Sequence, residues 1–353
     1  MTKINENHRA KDGNVYCLTL PLILLLISLL VFSACQVKDK NEVVIYTSLD
    51  QIFSEPILKK FEYETSIRVK ALYDTEATKT VGLANRLIAE KDNPKADVFW
   101  NSEIVRTIIL KRMGVLSPYN SANARSVPGF FKDPNGYWTG FGARARVIII
   151  NRDLIKSDEY PKSIRDLINR RWKGVGALSL PLFGTANTHA LALFQLWGVE
   201  KTKEFFSQCV DNKVQVLDGN SVVRDRVAGG LLKFGLTDTD DAYLGILRGK
   251  HVDMIYPDQD SFGTLLIPNT VALIAGAPRL ENAKKLIDYL LSEKVEETLA
   301  FSDSMQIPLR PHVRRPSHCP SLKELRIMDV DYKSIGEKAD EYSMILRKIF
   351  MKQ

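Results

Sequence analysis

Cysteine is scarce: there are four in 353 residues, at positions 17, 35, 209 and 319. They form no CxxC pair and no HExxH occurs, which excludes thioredoxin-type redox chemistry and a zinc site of those spacings. No GxSxG elbow is present, so a serine hydrolase of that type would lack its nucleophile. Glycine (20) and proline (15) are too few for a collagenous or low-complexity chain, and no internal repeat interrupts the sequence. Basic residues outnumber acidic ones by 49 to 42, a net +7 without a long basic run, so nothing singles out nucleic acid as a partner. What is there is an ordinary globular composition, 45% hydrophobic and 26% charged, long enough for about two domains or lobes.

Hydrophobicity is concentrated near the start. Residues 18–34 are apolar almost throughout, preceded by Lys3, Arg9 and Lys11 and closed by the small Ser33 and Ala34, the layout of a secretory signal. At 17 residues, with Pro21 inside, the stretch is at the short limit for a membrane span, which needs about 20. Phe32-Ser33-Ala34-Cys35 resembles a bacterial lipobox, with Phe32 where such boxes usually carry Leu, Val or Ile. That resemblance implies that Cys35 is diacylated and becomes the new N-terminus. An uncleaved anchor and simple secretion are the other readings, and all three put the folded body outside the cytoplasm. The expected division is a lipoprotein signal over residues 1–34 and a lipidated tether over residues 35–41, holding the body at a membrane face. Cys209 and Cys319 are left for the body, as a disulfide or as two inert thiols.

From Glu42 onward, short β-rich apolar runs alternate with helical patterns, the signature of an α/β protein with a largely parallel sheet. Strands are expected over residues 43–46, 68–73 and 97–100, with helices around 56–64, capped by Ser54, around 81–88, and up to Met113 before Gly114. A longer strand, 138–150, carries Arg144 and Arg146 ahead of a continuous apolar run. Strands at 175–180, 214–217 and 234–236 lead to helices near 188–197, 221–228 and 241–248. A strand over 265–274 and helices over 283–291 and 295–301 complete the body, and a tail from Leu309 ends in a helical pattern from about Ala339.

In open α/β sheets ligands collect beyond the carboxyl ends of strands, where helix N-termini present unpaired N–H groups. Polar stretches fall at those points: Tyr46-Thr47-Ser48, Asp74-Thr75-Glu76, Asn101-Ser102-Glu103, Gly184-Thr185 through Thr188, Asn220-Ser221, and Asp238 with Asp240 and Asp241. Any one of them serves first as a helix cap. Together, on two facing lobes, they outline a cleft for a small polar ligand. Three aspartates within four positions repel one another unless a cation, a basic partner or water offsets them, so they are candidates for a hard metal ion, sugar hydroxyls or an ammonium group. Arg144 reads either as a buried partner for one of those carboxylates or as a clamp for an anion. Tyr73 and Trp100 are expected half in the core and half on the cleft wall, and His189 as a packed helix residue.

Taken in order, Ala96-Asp97-Val98-Phe99-Trp100, Gly136-Tyr137-Trp138-Thr139-Gly140-Phe141, Ala143-Arg144-Ala145-Arg146-Val147, Arg171-Trp172-Lys173-Gly174 and Ile267-Pro268-Asn269-Thr270 resemble the extracellular solute-binding proteins of ABC importers. This is the two-lobed group that includes ferric-iron, thiamine and phosphonate or sugar-phosphate binders. The resemblance runs from Val43 to Leu309. It implies a periplasmic-binding-protein-like α/β fold of two lobes joined by two hinge strands, which closes on a solute and passes it to a membrane permease without chemistry of its own. Lobe 1 would be residues 42–142 plus 270–308, lobe 2 residues 143–269, and residues 309–353 the tail.

Ferric binders of the group carry adjacent tyrosines in the second lobe; here Asp240-Asp241 stand there, with Tyr243 just beyond, while the strand arginine is kept as Arg144. The cleft residues expected are Tyr46, Thr47, Thr75, Glu76, Asn101, Arg144, Thr185, Ser221, Asp238, Asp240 and Asp241, with Asp240 and Asp241 as metal ligands. The cargo is expected to be a small anionic or metal-containing solute of the iron(III) type, with a phosphorylated or phosphonate organic solute as the rival and no resident cofactor. The permease, the solute and, through the N-terminal lipid, the membrane are the expected partners of a monomer. An extracellular hydrolase or a surface sensor module is the more distant alternative.

Overall fold

The computed structural model describes residues 41–74 and 80–351. The first half lays down β1 (Glu42–Thr47), α1 (Gln51–Thr65), β2 (Arg68–Tyr73), α2 (Val81–Ala89), β3 (Val98–Asn101), α3 (Val105–Arg112) and the short β4 (Leu116–Ser117). After the long β5 (Thr139–Asn151), a second series follows: β6 (Gly176–Ser179), α4 (Gly184–Trp197), α5 (Val199–Asp211), β7 (Gln215–Leu217), α6 (Asn220–Ala228), β8 (Phe234–Asp238), α7 (Thr239–Leu247) and β9 (Val252–Ile255). The chain returns through β10 (Leu266–Ile274) to α8 (Leu280–Leu290) and α9 (Glu293–Phe301), and ends in α10 (Tyr332–Phe350).

The strands pair along the path β2-β1-β3-β10-β5-β8-β6-β7, with β4 on β10 and β9 on β5. On either side the outer pairs are parallel, as strand–helix–strand crossovers require, whereas β10 and β5 run antiparallel to each other and to their other neighbours. β5 is the joint. Residues up to Ala145 pair with β10, and from Arg146 onward the same strand pairs with β8 and β9. All thirteen of its residues are buried, because each half is covered on both faces. Where it bends, Gly142 takes φ +55, a conformation natural to glycine, opposite a bulge between Pro268 and Asn269 on β10. Glu296 of α9 accepts from the Gly142 N–H and Asn269 donates to its carbonyl, which holds the crossing in place. The two halves are the two α/β lobes expected of the fold.

Several boundaries differ from the sequence expectation. Ser54 does not cap α1 but lies inside its first turn, donating back to the carbonyls of Leu49 and Asp50. α4 begins at Gly184 rather than near Thr188, which moves Thr185 from a loop into the first helical turn. α5, the two-residue β4 and β9 were not anticipated. Trp100 is wholly core, with no exposure and its ring 5.3 Å from that of Phe141. Cys209 and Cys319 are separate free thiols in different clusters, and burial pushes both thiols up, Cys319 to about 12, so they remain protonated and inert. The expected signal, tether and Cys35 lie outside the described residues. No helix among those described is long and apolar enough to cross a membrane.

The tail is structural. Arg310 and Glu296 form an ion pair at 2.6 Å with neither side chain exposed, and the guanidinium also donates to the carbonyls of Asn123 and Leu291 and to the Ser126 hydroxyl. Beyond it, α10 starts at Tyr332, seven residues before the expected Ala339, because Asp331 accepts from the Lys333 N–H at its N-terminus. Its apolar face (Ile335, Ala339, Tyr342, Leu346) is buried against the body. Arg310→Ala leaves the Glu296 carboxylate buried without its cation, and the expected loss is about 3–5 kcal/mol of unfolding free energy by urea titration.

Candidate functional site

Two strand arginines organise the cleft. Arg144 and Arg146 are two apart on β5, so both side chains leave the same face, and both are buried. Arg146 meets Asp238, the last residue of β8, at 2.6 Å. Asp238 also accepts from Thr185 of α4 (2.5 Å) and Asn220 of α6 (2.9 Å), and lies 3.3 Å from Arg144. Arg144 in turn donates to Asp240 in the first turn of α7 (3.1 Å). Asp241 pairs with Arg224 of α6 at 3.1 Å. Three carboxylates, whose oxygens lie within 4.8 Å of one another, therefore face three guanidinium groups.

The charge states follow from this arrangement. Burial raises the Asp238 carboxyl, but the fields of Arg146 and Arg144 and the Thr185 hydrogen bond outweigh it, and the group stays ionised below the usual carboxylate range. Burial pulls Arg144 down, and Asp240 and Asp238 more than restore it. The Nε–H groups of Arg144 and Arg146 nevertheless have no hydrogen-bond partner among the described residues. Buried donors of this kind, beside the α4 and α6 N-termini, suit oxygen atoms of an anionic solute.

The lobe 1 side of the cleft is built from the loop after β3. Ser48 donates to Asn101 (2.7 Å) and accepts from the Ser102 N–H (2.8 Å); the Asn101 amide reaches Glu103 and Thr107, both at 3.1 Å. Glu103 accepts the N–H groups of Val105 (2.5 Å) and Arg106 (2.9 Å), opening α3. Two hydrogen bonds cross to lobe 2: Arg144 Nη2 to the Ser102 carbonyl (2.7 Å) and Thr188 Oγ1 to Glu103 (2.9 Å). The lobes are thus drawn together, and the cavity between them measures about 30 Å³, lined by Thr80, Ser102, Arg144, Ser179, Thr185, Asn220 and Asp241 among others. At roughly 10–15 Å³ per water-sized probe, the space enclosed with the lobes as they stand suits a small ion or a couple of waters.

Of the residues singled out in the sequence, Arg144, Thr185, Asp238, Asp240 and Asp241 are brought together here. Tyr46 is turned away, its hydroxyl on Glu90 at 2.9 Å and its ring under Arg86. Thr47 caps its own turn through the Leu49 N–H, and Asn101 is wholly buried in the loop network. Ser221 sits one position past the residue that matters, since Asn220 makes the contacts. Thr75 and Glu76 lie outside the described residues. Tyr243 stacks on His318 of the tail, ring centroids 4.8 Å apart, so it offers the cleft no phenolate. Arg146 and Asn220, named in the long strand and in a polar loop but not among the expected cleft residues, belong to the cluster; the alternation that puts Arg146 on the same face as Arg144 was the available signal.

His189 of α4 is buried, with neither ring nitrogen hydrogen-bonded among the described residues. Burial and then the Arg146 charge push it down to about 3 from 6.5. Below pH 6.5 the unfolded chain takes up a proton that the folded chain refuses until about pH 3, so stability falls on acidification across that window by up to about 1.4 kcal/mol per pH unit. Asp238 acts lower: its contribution is in place above about pH 4 and is lost as pH falls through its depressed folded value. His189→Leu is expected to flatten the decline of the urea midpoint between neutral pH and about pH 4, while wild type loses stability throughout.

The profile of the family described as bacterial extracellular solute-binding protein matches residues 93–334. The iron uptake protein A1 of Synechocystis sp. is 26% identical over 274 residues, covering 74% of this chain and 74% of that protein. Among solved structures, iron-bound HitA from Pseudomonas aeruginosa superposes with a TM-score of 0.79 at 22% identity, over 88% of this chain and 99% of that one. The periplasmic binding protein AfuA from Actinobacillus pleuropneumoniae, with fructose 6-phosphate bound, gives 0.77 at 23% identity, over 87% and 97%. With most of its length matched and its two lobes shared with these neighbours, the chain belongs to the bacterial extracellular solute-binding proteins, transport components rather than enzymes, which work outside the cytoplasm.

Proposed function

We propose that this protein captures a small metal-containing solute of the iron(III) type and delivers it to the permease of an ABC importer. The observation that carries this reading is the group of hard oxygen ligands at the α7 N-terminus, Asp238, Asp240 and Asp241, beside Arg144. A trivalent cation entering there displaces the guanidinium from Asp240, and Arg144 is then available to the anion that accompanies the metal. The ion-sized cavity and the iron named in the descriptions of the Synechocystis and Pseudomonas proteins support the same cargo. Cys35 as the acylated N-terminus, a membrane tether and a monomeric body belong to this proposal.

A second reading has its own observation. Every carboxylate of the group is already arginine-paired, while Thr185, Asn220 and two arginine Nε–H groups are donors suited to a phosphate or phosphonate. The fructose 6-phosphate of the AfuA structure is a solute of that class. Such a solute would need the lobes further apart than they stand.

A thermal-shift panel of ferric citrate, citrate, inorganic phosphate, an alkylphosphonate and a hexose phosphate separates the two. Ferric citrate is expected to raise the melting temperature, a hundredfold excess over Kd being worth about 2.7 kcal/mol. Asp240→Ala is expected to abolish that gain. A response to the phosphorylated compounds alone transfers the site to the second reading, and no response to any of them overturns both. The lipid is read from the mass of the membrane-extracted N-terminal peptide, where an unmodified Cys35 would count against it.

A further inference from the structure

α10 touches both lobes at once. On lobe 2, Tyr342 stacks on Phe194 of α4 with centroids 4.6 Å apart and planes at 14°, and Phe350 lies edge-on to Phe206 of α5 at 5.5 Å. Leu346 between them is fully buried. On lobe 1 the contact is of another kind. Gly336 lies so close on Ile108 of α3 that a Cβ there would overlap it, and Arg112 at the end of α3 donates to the Glu337 carbonyl (3.0 Å) and to Asp340 (2.7 Å), an ion pair open to solvent. A cavity of about 630 Å³ runs along this seam, walled by Lys111, Phe130, Tyr137, Trp138, Tyr332 and Lys333. The helix begins beside the hinge, where the Tyr332 hydroxyl donates to the Leu266 carbonyl at the start of β10.

Opening the cleft about β5 and β10 cannot preserve both seams. We infer that α10 is a latch: it moves as part of lobe 2, and its contact with α3, Gly336 on Ile108 and Arg112 on Glu337 and Asp340, breaks on opening and so sets how readily the empty protein opens. The physical reason is the difference between the seams. The lobe 2 seam is interlocked aromatic packing, lost all at once on separation. The lobe 1 seam is a close glycine contact, one tilted aromatic pair (Tyr332 on Phe130, centroids 5.6 Å apart), a few polar bonds that water can replace, and an incompletely filled groove. The latch lies at the far ends of α3 and α4, away from the solute, so it acts on the equilibrium between states rather than on contacts with the cargo.

The inference rests on the reading that the two lobes close on a solute, and its test uses none. Hydrogen exchange and small-angle scattering are measured on the purified unliganded protein, wild type against Arg112→Ala and Asp340→Ala. The second variant changes a side chain largely in solvent and leaves the α3 packing intact. The expected result is a larger radius of gyration and several-fold faster exchange at the cleft edges, Ser102, Glu103 and Thr185 to Thr188, with the amides around Phe194 and Tyr342 still protected. Unchanged exchange at the cleft edges in both variants overturns the latch. Protection lost equally at the α4 seam overturns the assignment of α10 to lobe 2. A flat response to ferric citrate and phosphate counts against the proposed cargo and leaves these outcomes standing.

Discussion

A guanidinium group taken out of water has to find its counter-charge, and here two of them leave the same face of one fully buried strand. That constraint shapes the cleft. Arg144 and Arg146 sit where β5 passes from one lobe to the other, so the carboxylates that neutralise them must come from the elements meeting at that point, the end of β8 and the first turn of α7. Asp238 then draws Thr185 and Asn220 onto itself, and the N-termini of α4 and α6 converge because their first-turn side chains share one acceptor. Replacing either arginine by an apolar residue would strand a buried carboxylate, so the cluster stands or falls together.

The same strand couples the site to motion. Arg144 spans the lobes, holding Asp240 on one side and the Ser102 carbonyl on the other. A solute that competes for Arg144 therefore acts directly on the contact that keeps the lobes together. Thr188 on Glu103 adds a second such contact, and α10 a third region that senses closure from behind. Closure of this kind is a balance among a few hydrogen bonds and one packed seam, which is the scale on which a solute's binding energy can shift populations.

The cargo is decided by a competition within the cluster. Carboxylates that are free attract a metal; carboxylates already held by arginine attract it only if the arginine finds something else to hold. A cation arriving with its own anion meets both conditions, whereas a bare cation meets one. With Tyr243 committed to His318, the α7 N-terminus presents no phenolate among the described residues, and its anionic oxygen donors are the carboxylates of Asp238, Asp240 and Asp241.

Much of the α/β alternation is legible in the order of the residues alone, because strand and helix periods are local properties of a few consecutive positions. The long apolar strand with its arginines, the Gly114 stop, whose φ of +68 suits glycine, and the Asp run at a helix start can all be read that way. The resemblance to solute-binding proteins added the lobes and the hinge. What the sequence could not settle was which polar residue of each loop faces inward. Asn220 rather than Ser221 and Tyr46 turned to Glu90 depend on where a helix starts and what packs beside each strand end. Only the tertiary structure decided the tail, because Arg310 finds Glu296, and α10 finds both lobes, through contacts between residues distant along the chain that no local pattern records.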